Sequence, residues 1–181
     1  MKIHTTPIKG LLVIKPRVFE DERGYFFESY RKDALSEHGY TELFVQDNES
    51  KSEKSVLRGL HFQKPPHAQA KLVRVVKGSI LDIAVDIRQS SETYGRHFSI
   101  TLDEKDKRML LIPVGFAHGF VTLEDETIVN YKCTNVYTKE AEQTLIWNDE
   151  QIGIDWGFDN PIISEKDLEG EPFATFKSPF K

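Results

Sequence analysis

The sequence predicts an all-β fold of the jelly-roll kind, on three observations. Segments in the middle of the chain alternate apolar and polar residues with a period of two, the pattern of strands that bury one face. Turn signals separate them about every eight to twelve residues, which is the spacing of a sandwich or barrel. Helical periodicity is too scarce to supply the crossover helices of a parallel sheet.

The elements follow in order. RKDALSEH (31–38) reads as a helix that Gly39 stops. In LDIAVDIR (81–88), Leu81, Ile83, Val85 and Ile87 alternate with Asp82, Ala84, Asp86 and Arg88, so the first set is expected to be buried and the second to face out. Phe98, Ile100 and Leu102 alternate in FSITL. RMLLIP and GFVTL flank a Pro-x-Gly turn. TIVNYKC (127–133) is favoured as a strand by its β-branched residues and Tyr131. From Asp155 to Lys181, three prolines and four phenylalanines predict irregular chain and short helix laid over the sandwich. No internal repeat or linker breaks the chain. Its 181 residues suit one domain, 1–181, with a full core.

Composition narrows the function. Twelve Phe, six Tyr and two Trp describe a packed globule. A formal charge of −5 argues against a nucleic-acid binder, which needs a basic face, but leaves room for a small anion held by a few Arg and Lys. Cys133 is the one cysteine, so neither an intrachain disulfide nor a cysteine-rich zinc site is possible. MKIHTTPIKG has no apolar core of signal-peptide length, and no window reaches the run of about twenty apolar residues a membrane span needs. A soluble cytoplasmic protein is expected, and the Asn48-Glu49-Ser50 sequon is read as chance.

The chemistry concentrates in VLRGLHFQKPPHAQAKLVRVVKG (56–78), with Arg58, His61 and Lys71 among apolar residues. Pro113-x-Gly115-x-x-His118 resembles the second motif of the cupin jelly rolls, or double-stranded β-helices. In metal-binding cupins that His is a ligand, and the first motif adds an H-x-H pair and a Glu. Counting back from Gly78 puts Lys71 at the Glu position. The H-x-H pair falls near Lys64 and Pro66 and is absent. An ammonium repels a divalent cation, so no metal is expected. A buried ammonium can instead polarise a carbonyl oxygen and stabilise an enolate.

Eight segments in order then resemble the dTDP-4-dehydrorhamnose 3,5-epimerase family. They are RGYFFES (23–29), FVQDNES (44–50), LRGLHFQ (57–63), KLVRVVKG (71–78), PVGFAHGF (113–120), YKCTNVY (131–137), WNDEQIGIDW (147–156) and SEKD (164–167). The resemblance runs from about residue 8 to residue 170. It implies a cupin-like jelly roll with short peripheral helices, no cofactor and a nucleotide-sugar substrate, dTDP-4-keto-6-deoxyglucose, inverted at carbons 3 and 5 on either side of its ketone. By resemblance, His61 is the base, Asp167 orients it, Tyr131 is the acid on the opposite ring face, and Lys71 holds the enolate oxygen. These assignments agree with the chemistry, since a neutral imidazole titrates near working pH and inversion needs groups on both faces. Arg23, Arg58, Gln46, Asn48 and Lys166 are implied to contact diphosphate, sugar or nucleoside, Tyr137 to stack on thymine, and Glu28, His118 and Glu142 to complete the binding set. In the family Arg23 and Glu28 reach the partner subunit's site, which implies a homodimer.

Taken singly, each of these residues has a plainer reading. His61 and His118 read as structural, Tyr131 as strand packing, Lys71 as an ordinary strand lysine, Arg23 as part of an ion-pair cluster with Asp21 and Glu22, and Asp167 as part of a charged loop. His4, His38, His67 and His97 read as loop or surface residues. Three alternatives stand beside the double epimerase: a single-site epimerase or ketoisomerase on a related dTDP-4-keto-sugar, a non-catalytic sugar-binding jelly roll, and a metal-dependent cupin oxygenase.

Overall fold

The computed structural model describes all residues, 1–181. Its strands are β1 (Lys2–Thr5), β2 (Leu12–Lys15), β3 (Val18–Asp21), β4 (Gly24–Phe27), β5 (Gln46–Ser52), β6 (Val56–Gln63), β7 (Lys71–Lys77), β8 (Ser79–Asp86), β9 (His97–Asp103), β10 (Met109–Ile112), β11 (Phe116–Thr122), β12 (Thr127–Cys133), β13 (Glu142–Thr144) and β14 (Ile162–Ile163). Two short helices, α1 (Lys32–Ser36) and α2 (Glu165–Leu168), lie outside the sheets. Strands β5 to β12 are divided between two sheets, β5-β12-β7-β10 and β6-β11-β8-β9, with every consecutive pair but the β8–β9 hairpin crossing between them, the winding of a jelly roll. Strands β2 and β1 extend the first sheet beyond β10, β13 and β14 attach to β6, and β3–β4 forms a separate hairpin.

Each sheet is covered on both faces, so there are three apolar layers. Between the sheets, Val73, Val75 and Val129 meet Ile80, Ala84, Phe116 and Phe120. Behind the second sheet, Leu57, Leu60, Phe62, Ile83, Val85 and Val121 pack on Trp156, Phe173, Phe176 and Phe180 of the C-terminal tail. Behind the first, Leu12, Ile14, Leu72 and Met109 pack on Leu35 of α1, with Tyr30, Tyr40 and Phe44 alongside. This explains why β10 and β11 are buried along their whole length. A truncation such as Leu60→Ala would cost about 2–5 kcal/mol here, since the layer cannot collapse into the gap.

The two-sided burial corrects one sequence expectation. Leu81 is half-buried and Ile83, Val85 and Ile87 are buried as expected, but they face the tail rather than the space between the sheets. The alternate positions are not exposed: Asp82, Ala84 and Asp86 are fully buried, and Ala84 belongs to the inter-sheet layer. Of the histidines read as loop or surface residues, His4 is exposed on β1 and His97 is half-buried on β9. The helix over 31–38 shortens to α1. Gly39, at φ +82°, closes it with bonds from Gly39 N–H to Ser36 and from Tyr40 N–H to Leu35, so its role as the stop holds.

Strand β6 carries the irregularity that shapes the site. Against β11 its register runs His61 with His118, then Arg58 with Phe120, so three steps on β6 span two on β11. The extra residue is a β-bulge. It puts Leu57, Leu60 and Phe62 together against the tail, and turns Arg58, His61 and Gln63 to the other face. Gly59 is required there. Its φ is +136°, and a Cβ on it would run into the Cα of Gly119.

Candidate active site

A cavity of about 310 Å³ opens at one end of the space between the sheets. It is lined by inward positions of five strands: Gln46 and Asn48 of β5, His61 and Gln63 of β6, Lys71 of β7, Tyr131 of β12 and Glu142 of β13, with Gln69 and Tyr137 from the loops. The register explains the grouping, because Tyr131 sits opposite Asn48, Cys133 opposite both Gln46 and Lys71, and Glu142 opposite Gln63.

His61 is half-buried at the wall. Its Nε2 lies 2.7 Å from Asp167 Oδ1, and the other carboxylate oxygen accepts from Gly59 N–H at 3.3 Å. Asp167 enters from the tail, where the Ser164 side chain caps its N–H at the start of α2. Burial works against the Asp167 carboxylate, but the bonds from His61 and Gly59 outweigh it and hold its pKa below the ordinary value. An ionised carboxylate only accepts, so the proton of a neutral His61 is on Nε2 and Nδ1 keeps the lone pair.

Lys71 and Tyr131 are neighbours, with Nζ 5.9 Å from the ring centroid. Burial lowers the Lys71 pKa, against the pull of Cys133, Asp82 and Glu142. Burial likewise raises the Tyr131 phenol, with Arg58 opposing, so it keeps its proton at neutral pH. Arg58 is exposed and donates to Ser52 Oγ from Nη2 at 3.1 Å. At the rim, Tyr137 donates its hydroxyl to Glu142 at 2.8 Å, and Lys166 pairs with the same carboxylate. Burial raises Glu142, but these two partners prevail and keep its pKa low. Gln46 links the wall to the rim by accepting from Tyr137 N–H at 2.8 Å and donating to Asn48 at 3.0 Å.

His118 lies beneath this surface rather than on it. Its Nε2 is 2.6 Å from Asp82 Oδ1, in a pair that is almost wholly buried. Arg23 and Glu28 are not brought to the cavity of their own chain. Arg23 pairs with Asp21 on the β3–β4 hairpin, and Glu28 pairs with Arg31. No group of three or more His, Cys, Asp or Glu side chains is placed to hold a metal ion. Asp82, Gln63 and Gln69 are the polar residues near the site that sequence patterns did not single out. Asp82 was hidden because its strand position reads as solvent-facing.

The family profile described as dTDP-4-dehydrorhamnose 3,5-epimerase matches residues 5–175. The chain belongs to the dTDP-4-dehydrorhamnose 3,5-epimerase family. The family's enzyme from Salmonella typhimurium is 50% identical over 169 residues, covering 92% of each chain. The crystal structure of dTDP-6-deoxy-D-glucose-3,5-epimerase from Legionella pneumophila in complex with dTDP-4-keto-L-rhamnose superposes with a TM-score of 0.93 at 41% identity, covering 97% of this chain and 94% of that one. A 3'-monoepimerase from Streptomyces bikiniensis, solved with dTDP-quinovose, has the same fold at a TM-score of 0.90 and 29% identity, covering 95% of this chain and 88% of that one. The same fold thus carries enzymes of both one and two inversions, and the two 3,5-epimerases named here are nearer to this chain in sequence than the monoepimerase.

Proposed function

We propose that the protein is the 3,5-epimerase of dTDP-4-keto-6-deoxy-D-glucose, giving dTDP-4-keto-L-rhamnose for L-rhamnose nucleotide biosynthesis. The observation that carries this reading is the meeting of the carboxylate-bound His61 with a protonated Tyr131 and the Lys71 ammonium around one cavity. Protons next to a ketone are weakly acidic, and removing one requires a base and a stabilised enolate. His61 takes the proton at carbon 3 or carbon 5, Lys71 receives the charge developing on the carbon-4 oxygen, and Tyr131 returns a proton on the other face. The imidazolium formed on His61 is held by Asp167. Because the ketone flanks both carbons, one set of groups serves both inversions.

The nucleotide half of the substrate is assigned to the rim. Arg58 and Lys166 supply positive charge for the diphosphate, where a planar guanidinium suits phosphate oxygens. Gln46, Asn48 and Glu142 complete the sugar and nucleoside contacts, while His118, expected among them, lies beneath the cavity; Tyr137, exposed at the mouth, offers its face to thymine. Lys71 supplies the cation that a metal supplies in other cupins, so the reaction needs no cofactor. Residues 1–181 act as one cytoplasmic domain in a homodimer. In that dimer Arg23 and Glu28, which lie away from their own cavity beside the exposed Tyr25 and Phe26, complete the partner's site. No helix is long and apolar enough to cross a membrane.

A single-site epimerase is the second reading, motivated by the 3'-monoepimerase of the same fold. Chelator-treated protein incubated with dTDP-4-keto-6-deoxyglucose in deuterium oxide separates the two. Deuterium at both carbons, with the L-lyxo product trapped by a following reductase, is the expected result. Deuterium at one carbon selects the single-site enzyme, and no exchange overturns both.

A further inference from the structure

The charges beneath the cavity do not pair in the usual way. Lys71 Nζ has no carboxylate oxygen within 4.0 Å and donates no hydrogen bond within the chain, so its N–H groups are open to the cavity. Behind it, Asp82 is fully buried. One carboxylate oxygen accepts from His118, and the other has no hydrogen-bond partner. Half-paired carboxylates are costly in an interior, and so is an ammonium removed from water. Here the two are opposite in sign and act on each other across the same inter-sheet space. A direct ion pair would hold Lys71 charged but would use its donors. A counter-charge slightly farther off holds the charge and leaves the donors free.

We propose that Asp82 is the fixed counter-charge of Lys71, a buried carboxylate oriented by His118 that keeps the ammonium cationic while leaving its N–H groups to the substrate oxygen. Asp82 is therefore a positioning residue, acting through Lys71 without touching the substrate. The inference rests on the epimerase reading for what Lys71 does, and for what Asp82 does to Lys71 on the buried, half-paired Asp82 carboxylate and its attraction for the ammonium that lines the cavity. The groups facing Lys71 from the surrounding strands are Asp82 of β8, His118 of β11, His61 of β6, Tyr131 and Cys133 of β12, and Glu142 of β13. Of these, only Asp82 and Glu142 are carboxylates. Glu142 is already shared by Lys166 and Tyr137, which leaves Asp82 as the carboxylate without a competing cation.

The sign follows directly. Lys71 must be protonated to receive the enolate, so activity is lost as pH rises through its pKa. Replacing Asp82 by neutral Asn lowers that pKa and moves the alkaline limb of kcat to lower pH, by about one pH unit. Competitive acetylation of Lys71 across pH, read by mass spectrometry on the full-length protein, measures the same shift without needing turnover. The expected result for Asp82→Asn is an acetylation midpoint and an alkaline limb that fall together, with dTDP affinity within about twofold of wild type. Asp82→Glu, which retains the charge, should restore both. A folded, dTDP-binding Asn variant whose Lys71 midpoint stays at the wild-type value overturns the proposal and leaves Asp82 a packing residue. Should the Asn protein fail to fold, Asp82→Ser answers the same question. If wild type shows no exchange at either carbon, the epimerase reading fails, and the acetylation midpoints still decide whether Asp82 governs Lys71.

Discussion

Two carboxylate–histidine pairs stand side by side on adjacent strands, since His61 of β6 is in register with His118 of β11. Their bonds are nearly the same length, 2.7 Å for His61–Asp167 and 2.6 Å for His118–Asp82. Their surroundings differ. The first side chains are 25% and 5% exposed, with His61 bordering the cavity, and the second are 6% and 0% exposed and lie beneath it. Asp167 also accepts a backbone N–H from Gly59, whereas the second oxygen of Asp82 is unpartnered. The bond alone therefore does not assign a role. Access to the cavity suits one pair to moving protons, and burial suits the other to holding fixed charge.

Substitutions can break the comparison at either pair. The largest effect is expected from His61→Asn, which removes the base. Deuterium exchange at carbons 3 and 5 should fall about 10³-fold with dTDP binding retained; loss of both together would mean that His61 is structural. Next is His118→Leu, which strips the only donor from a fully buried carboxylate and should cost about 3 kcal/mol in denaturant unfolding. A much smaller loss would show that Asp82 takes up a proton or water when its partner is gone. Asp167→Asn should lower kcat about a hundredfold while the fold survives, because the imidazolium loses its counter-charge but the Gly59 N–H keeps an acceptor. An equal loss of unfolding free energy would make Asp167 a tail anchor instead.

The smallest effect is on pH and stability. Burial depresses the pKa of His118 in the folded state, so the unfolded chain binds the proton more readily. The stabilisation is therefore present above the ordinary histidine value of about 6.5 and is lost as pH falls below it, at no more than about 1.4 kcal/mol per pH unit. His118→Gln should flatten that part of the curve, and a slope unchanged by the substitution would place the titrating group elsewhere.

The same contrast explains what could be read from the sequence. Strands with apolar alternation, such as 81–88 and 98–102, were legible because one face packs on a large apolar layer. What alternation could not tell was which side of the sheet that face is on, and in β8 it is the outer side, under the tail. The inward positions were read as solvent-facing because the working interior of this barrel is polar. Strand β5 shows the extreme case. QDNESKS has almost no apolar residue, so it was visible as a motif and not as a strand, yet its inward Gln46 and Asn48 wall the cavity. His61, Lys71, Tyr131 and Asp167 were found together only through family resemblance, since Asp167 is separated from His61 by about a hundred residues of chain. Arg23 and Glu28 could not be placed by either route within a single chain.

The bulge in β6 has a consequence for engineering. Because three residues there cover the span of two, inserting one further residue between Arg58 and His61 without widening the bulge would exchange the two faces for everything on one side of the insertion. The imidazole would then be driven among the phenylalanines of the tail, and a leucine would stand in the cavity. Libraries of point substitutions vary which side chain occupies position 61 but leave its direction untouched. In this strand the length of the chain, as much as its composition, is a heritable determinant of activity.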